Sequence, residues 1–352
     1  MRLQHAFAFL MSLFLLGACS QQRQGPQVAA SPATQPTKPL YLSGPYVHEN
    51  LAVYLVHGPD KIKGKAYLTL AEAMEQKRVV VHETGSVNEL AIENVGDDDV
   101  YIQSGEIVKG GRQDRTLGTD MIITKAMGKT PIASFCVEHG RWTRRGDEMP
   151  TMFLRSDQMV SGKEMKLASN SNYRGADQSK VWASVAENQQ DLAKSVGQSV
   201  NATTSPSSYQ LTLESPALKG KTDDYVTPLA RALDDPKNAD AIGWCYAVNG
   251  EVSGANVYAN AQLFRKLWPK LLQSGAVEAL AEKRGEAGTG PTTRPTEQVV
   301  MDFLSSDRGA KPTEKQVNAR TNCATYDGND SVMLETTDSA SAATVHRNYM
   351  RK

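Results

Sequence analysis

The sequence is short of cysteine, of net charge and of long apolar runs, and each shortage removes a class of protein. Four cysteines occur in 352 residues, Cys19, Cys136, Cys245 and Cys323, with no Cys-x-x-Cys pair. Neither a disulfide-stapled scaffold nor a cysteine-based zinc or redox motif is indicated. If Cys19 serves another purpose, the other three allow at most one internal disulfide. The histidines, His5, His48, His57, His82, His139 and His346, show no metal-motif spacing either. Basic and acidic residues balance at 39 each, which leaves no global basic field of the kind nucleic acid requires. No metal, cofactor or nucleic acid is therefore expected. Hydrophobic residues at 40% and charged residues at 22% give the balance of an ordinary globular protein.

What is present begins with an export signal. Arg2 precedes an apolar run from Ala6 to Leu16, broken only by Ser12. A membrane span needs ~20 apolar residues, so the run suits the core of a secretory signal instead. It ends in Leu16-Gly17-Ala18-Cys19, which resembles the lipobox cut by lipoprotein signal peptidase; an ordinary signal peptide with an incidental cysteine is the alternative. On the first reading residues 1–18 are removed and Cys19 carries the acyl chains, two or more of which anchor a protein stably. Ser20 follows, where an aspartate would resemble an inner-membrane retention signal, so the expectation is a cell-envelope protein on the outer membrane, facing the periplasm. Residues 19–40 then form a disordered tether: Pro26, Pro32, Pro36 and Pro39 stand among small polar residues, with Val28 the one large aliphatic before Leu40.

The remainder predicts an α+β fold, a β-rich sandwich or cupin-like barrel over residues 41–150 with a helical and β-hairpin half over 151–352 packed on it. Leu51, Val53 and Leu55 alternate within a strand, and short β-rich runs recur at Val79–Val81, Leu90–Ile92, Val100–Ile102, Met121–Ile123 and Ile132–Val137. The stretch up to Asp177 reads as polar loop. Val181, Val185, Leu192 and Val196 form one helical stripe, and a second helix is expected over Asp223–Leu233 with Pro228 near its start. Asn249-Gly250 between Ile242–Val248 and Glu251–Tyr258 predicts a type I′ hairpin. A helix from Ala261 to Leu280 should kink or restart at Pro269. Gly285–Thr296 reads as linker, and Val332–Glu335 with Thr344–Tyr349 as a second hairpin.

Two glycine-rich stretches, Gln103–Arg115 and Ser134–Trp142, are denser in polar residues than a plain β domain needs. One reading is a small-ligand or catalytic cleft lined by Glu106, Lys109, Gln113, Asp114, Arg115, Glu138, Arg141 and Trp142. The other is a buried ion-pair network that sets strand register. Glu138, inside an apolar strand, is expected to be structural, whereas Arg115 and Arg141 border strand ends and are expected to be partly solvated and to meet a ligand. Trp142 could stack on a ligand ring; Trp182, Trp244 and Trp268 are expected in the core. A metal site at Cys136, Glu138 and His139 is disfavoured because adjacent strand residues face opposite ways. A phosphate-binding P-loop is excluded because Gly111-Arg112 stands where Lys-Ser/Thr is required.

Gly110–Arg115 (Gly-Gly-x-Gln-Asp-Arg), Cys136–Trp142 (Cys-Val-Glu-x-Gly-Arg-Trp) and Leu263–Leu271 (Leu-Phe-x-x-Leu-Trp-x-Lys-Leu), together with Val345-His346-Arg347, resemble a bacterial and phage domain spanning about residues 45–350. That domain is named for its association with ADP-ribosylglycohydrolases and rhodanese-phosphatases. The resemblance implies no reaction and carries over no catalytic residue. The name suggests a nucleotide or ADP-ribose context, from which an exported chain departs. The expected function is a membrane-tethered envelope lipoprotein that binds a small molecule or an envelope protein. An envelope hydrolase using Glu106, Asp114 and Glu138 is the alternative, and a purely structural envelope protein the third reading.

Overall fold

Asn249 and Gly250 both adopt positive φ, 50° and 86°, as a type I′ turn requires, and the hairpin expected around them forms from Ala241–Val248 and Glu251–Tyr258. The computed structural model describes residues 39–352 apart from 63, 65, 284–293, 307 and 308. The signal segment, Cys19, nearly all of the tether and most of the linker lie outside the described residues. The hairpin is the centre of an eight-stranded antiparallel sheet. On one side it pairs with Leu51–His57 and then Tyr41–His48, and on the other with Ala343–Arg351, Ser331–Asp338, Thr321–Asp327 and Thr313–Gln316 in that order. Early and late strands thus share one sheet, and residues 38–352 form one unit. Leu40, placed by the sequence in the tether, already packs against that unit's second core.

Leu51–His57 is buried along its whole length, more than its alternation suggests, because both faces of the sheet are covered. Leu51, Val53, Leu55, Trp244 and Tyr246 face the main core, which helices Gln178–Val196, Pro216–Ala230 and Ala261–Ala281 share. Ala52, Tyr54, Val56 and Cys245 face a second core closed by Val300 and Phe303 of helix Glu297–Phe303. The first of these helices starts where Asp177 accepts from Ser179 N and Lys180 N and stops at Gly197 in the left-handed region. The helix expected over Asp223–Leu233 begins earlier, at Pro216, whose fixed φ and missing N–H suit a first helical position. Pro228 falls near its end. Pro269 leaves Ala261–Ala281 one continuous helix. It removes a single i→i−4 bond, and the burial of Leu263, Leu267, Leu271 and their neighbours offsets that loss.

The second β system runs Phe153–Leu154, Ile107–Gly110, Arg115–Leu117, Lys129–Cys136, Glu89–Asn94, Val79–Glu83. A bridge between His82 and Met152, and a bond from Glu83 N to Thr151 O, return the last strand to the first. The six strands so form a nearly closed barrel, filled by Val79, Val81, Leu90, Ile92, Val108, Leu117, Ile132 and Phe153. A small sheet of Leu68–Thr69, Val100–Ile102 and Met121–Ile123 packs into the same core. The fold is therefore α+β, with the barrel form of the expected β-rich half. Cys136, Cys245 and Cys323 are buried, and none is paired with another among the described residues. Among the described residues no helix is long and apolar enough to cross a membrane.

Candidate functional site

The two glycine-rich stretches do converge, but around a closed network. Asp114 Oδ1 accepts from Gly110 N and Arg145 Nη2, both at 2.8 Å, and its Oδ2 from Arg145 Nη1 at 2.7 Å and Ser208 Oγ at 2.6 Å. Glu138 Oε2 accepts from Asp114 N at 2.9 Å, and its Oε1 from Arg141 Nε at 2.6 Å and from Ser205 Oγ. Arg141 spends its remaining donors on the carbonyls of Gly110, Gly111 and Thr143. Both carboxylates are fully buried, and every charge has partners of good geometry, the condition under which a buried ion pair is tolerated. Glu138 lies just past the end of its strand, which stops at Cys136.

The remaining candidates disperse. Lys109 points outward to Glu214 at 2.6 Å. Glu106 is fully buried on another side of the fold, where its Oε1 meets Lys270 Nζ at 2.8 Å and its Oε2 accepts from Gln103 N. Gln113 is buried and offers its carbonyl to Arg115 Nη1 at 3.1 Å. Arg115, expected to be partly solvated, is instead fully buried, and Arg141 nearly so: the first points into the barrel and the second into the network. Trp142 stays partly exposed beside Arg112 and Arg115. Trp244 and Trp268 are core residues, while Trp182 is half-buried, its indole donating to Glu138 O.

An enclosed pocket forms where the loop after Val100–Ile102 meets the eight-stranded sheet, helix Ala261–Ala281 and helix Lys163–Ala168. Gln103, Asn170, Asn256, Asn348, Lys166 and Trp244 line it, with Ser104, Ser169, Ser253 and Ser274 between them. It holds about 40 Å³ for the centre of a water-sized sphere, room for roughly three waters or a small polar group. Two buried networks hold its walls. On one side His346 Nδ1 lies 2.7 Å from Asp120 Oδ2 and its Nε2 3.0 Å from Asn256 Oδ1. Tyr258 stacks on the imidazole at 4.5 Å and donates to Gln103 Oε1 at 2.7 Å. Burial alone would raise the Asp120 carboxyl, but His346, Ser104 N and Thr336 outweigh it and hold it below its ordinary value. On the other side Glu278 Oε2 accepts from Tyr246 OH at 2.8 Å and Lys166 Nζ at 3.0 Å. Burial of Glu278 is likewise outweighed, by Lys166, Tyr246 and Ser253, and its carboxyl stays low.

One polar atom of the lining is left over: Trp244 Nε1 is buried without a hydrogen-bond partner among the described residues. Such atoms are rare in folded proteins and costly. A wider cleft of about 910 Å³ borders the first network, but it is open, and its Arg141, Arg144 and Arg145 are already paired. Sequence reasoning passed over Arg145, Asp120, His346, Asn256, Lys166 and Glu278. Only the His346 segment carried a signal, as part of the closing motif.

No curated protein and no solved structure matches the chain significantly. A family model, described as the ARG and Rhodanese-Phosphatase-superfamily-associated Protein domain, matches residues 40–350. That span takes in both polar networks and the pocket, and the chain belongs to this ARPP-1 domain family.

Proposed function

We propose that this chain is a membrane-tethered envelope lipoprotein, anchored through Cys19, that binds a small polar molecule, or the polar end of a larger one, in the enclosed pocket. The observation that carries the reading is Trp244 Nε1, buried without a hydrogen-bond partner among the described residues, in the wall of a pocket flanked by the networks Asp120–His346–Asn256 and Lys166–Glu278–Tyr246. Preorganised donors and acceptors in an enclosed site are what small-ligand recognition uses. The hydrolase alternative draws no support from its carboxylates: Glu106, Asp114 and Glu138 are fully buried and each is already paired with lysine or arginine.

Native mass spectrometry of the detergent-solubilised full chain, followed by melts against a panel of small polar metabolites, tests this. Wild type should retain a small molecule or show a saturable rise in melting temperature. Asn348→Leu, which fills the pocket from a half-buried strand position, should lose that response while melting normally. No retained molecule and no response in wild type, or an unchanged response in Asn348→Leu, would leave the purely structural role standing.

A further inference from the structure

One end of the barrel has a polar interior. Strand pairing puts Glu83 opposite Leu90, Ile132 opposite Leu90, Ser134 opposite Leu117 and Cys136 opposite Arg115. Opposed residues share a face and faces alternate along a strand, so Glu83, Arg115, Ser134 and Cys136 point inward with Val81, Leu117 and Ile132. Arg115 is fully buried. Its Nη1 donates to Gln113 O, but Nε and Nη2 have no partner among the described residues. These two atoms are one edge of the guanidinium fork, two parallel N–H groups spaced for the two oxygens of a carboxylate or phosphate.

Glu83 does not fill that edge. Its Oε2 is 3.8 Å from Arg115 Nη2, beyond a hydrogen bond. Both its oxygens are held elsewhere, Oε2 by Arg112 N at 3.1 Å and Oε1 by Gly85 N at 2.9 Å. Ser134 Oγ, diagonal to Arg115 across the strand pair, is also buried and unpartnered. The indole of Trp142 forms the roof, with its ring 5.5 Å from the guanidinium carbons of both Arg112 and Arg115. Trp142 is 39% exposed and sits on the irregular segment between Cys136 and Phe153, so it can swing aside without breaking a strand. The Cys136 thiol, pushed up by burial to about 11, stays neutral and does not compete for the arginine.

We propose that this end of the barrel is a second binding site, for a small oxyanion. Arg115 Nε and Nη2 hold the carboxylate or phosphate side-on, Ser134 Oγ adds a donor, Arg112 adds a second positive charge, and Trp142 covers the group.

The test is a titration of the full chain with inorganic phosphate and, separately, with acetate, at ionic strength fixed with sodium chloride. Tryptophan fluorescence and the melting temperature are both read. A saturable response to at least one anion is expected, phosphate alone marking a tetrahedral group and acetate alone a planar one. Arg115→Lys keeps the charge but loses the fork and should weaken binding roughly tenfold or more. Arg112→Ala should weaken it less. Trp142→Phe should lose most of the fluorescence change but keep the thermal shift. Arg112 and Trp142 make no side-chain hydrogen bond among the described residues, so these two variants decide the matter even if Arg115→Lys folds poorly. Asn348→Leu should leave the titration unchanged, which separates this site from the enclosed pocket. Absence of any saturable response, or equal midpoints in wild type, Arg115→Lys and Arg112→Ala, would overturn the proposal.

Discussion

Asp114 and Arg115 are consecutive residues that point into two regions built on opposite terms. Asp114 enters a network in which its carboxylate receives four donors. Arg115 enters the barrel, where two of its nitrogens find no acceptor among the described residues. Both side chains are fully buried, so burial alone does not separate a structural charge from a binding one. The separation lies in satisfaction. A network in which each buried carboxylate is held by an arginine and further donors is expensive to break, whereas a buried group with unspent hydrogen bonds costs stability and gains only when something else arrives.

The sharpest way to break this contrast is a pair of truncations. Arg145→Met strands Asp114 and weakens the hold on Glu138, and should cost ~3–5 kcal/mol, enough to abolish or sharply lower the melting transition. Arg115→Met removes a guanidinium with two unpaired nitrogens and leaves Glu83, 3.8 Å away, to its donors Gly85 N and Arg112 N, so it should cost less, about 1–2 kcal/mol. Equal losses in thermal or urea melts would erase the distinction.

A smaller effect separates ionisation from hydrogen bonding at the enclosed pocket. The Asp120 and Glu278 carboxyls are lower in the folded chain than their ordinary values. The stability they contribute is present above the unfolded carboxylate value of about 4 and is lost as pH falls from there through the lower folded values. The melting temperature should therefore drop below about pH 4, and Asp120→Asn should shrink that drop while lowering stability at neutral pH. An acid profile identical in wild type and Asp120→Asn would mean that Asp120 is not held as an anion by His346.

The smallest expected effect on either region comes from the anchor. Cys19→Ala should abolish labelling by radioactive palmitate and leave the melts of both regions as they were. Equal labelling of the variant would end the lipoprotein reading, and a changed melt would show that the tether contributes to the folded unit.

Much of the fold was legible where a local demand decides it. Asn249-Gly250 can satisfy two positive φ angles, and the Val181–Leu192 stripe fixes a helix face. Thr313–Gln316 and Thr321–Asp327 were not legible: they are polar, and their strand character comes from pairing with each other and with Ser331–Asp338. Closure of the barrel through Met152 has no local sign either. The polar stretches stand out in the sequence, yet pattern could not say which charges meet. Arg145 sits in a turn-like Arg-Arg-Gly-Asp-Glu stretch that reads as solvent-facing loop. His346 and Asp120 are 226 residues apart, and nothing short of the folded sheet brings them together.

The arrangement of the large sheet also governs how the chain assembles. His57 pairs with Ala241, and Gly254 with Met350, so its central ladder waits for segments synthesised far later, at a high cost in loop closure. The barrel, whose strands all fall between Val79 and Leu154, needs no such wait. Folding should thus be ordered in time, a local barrel first and the sheet afterwards. The oxyanion end could form early, while the enclosed pocket, which needs Asn348 and Tyr349 from the last strand, is finished last.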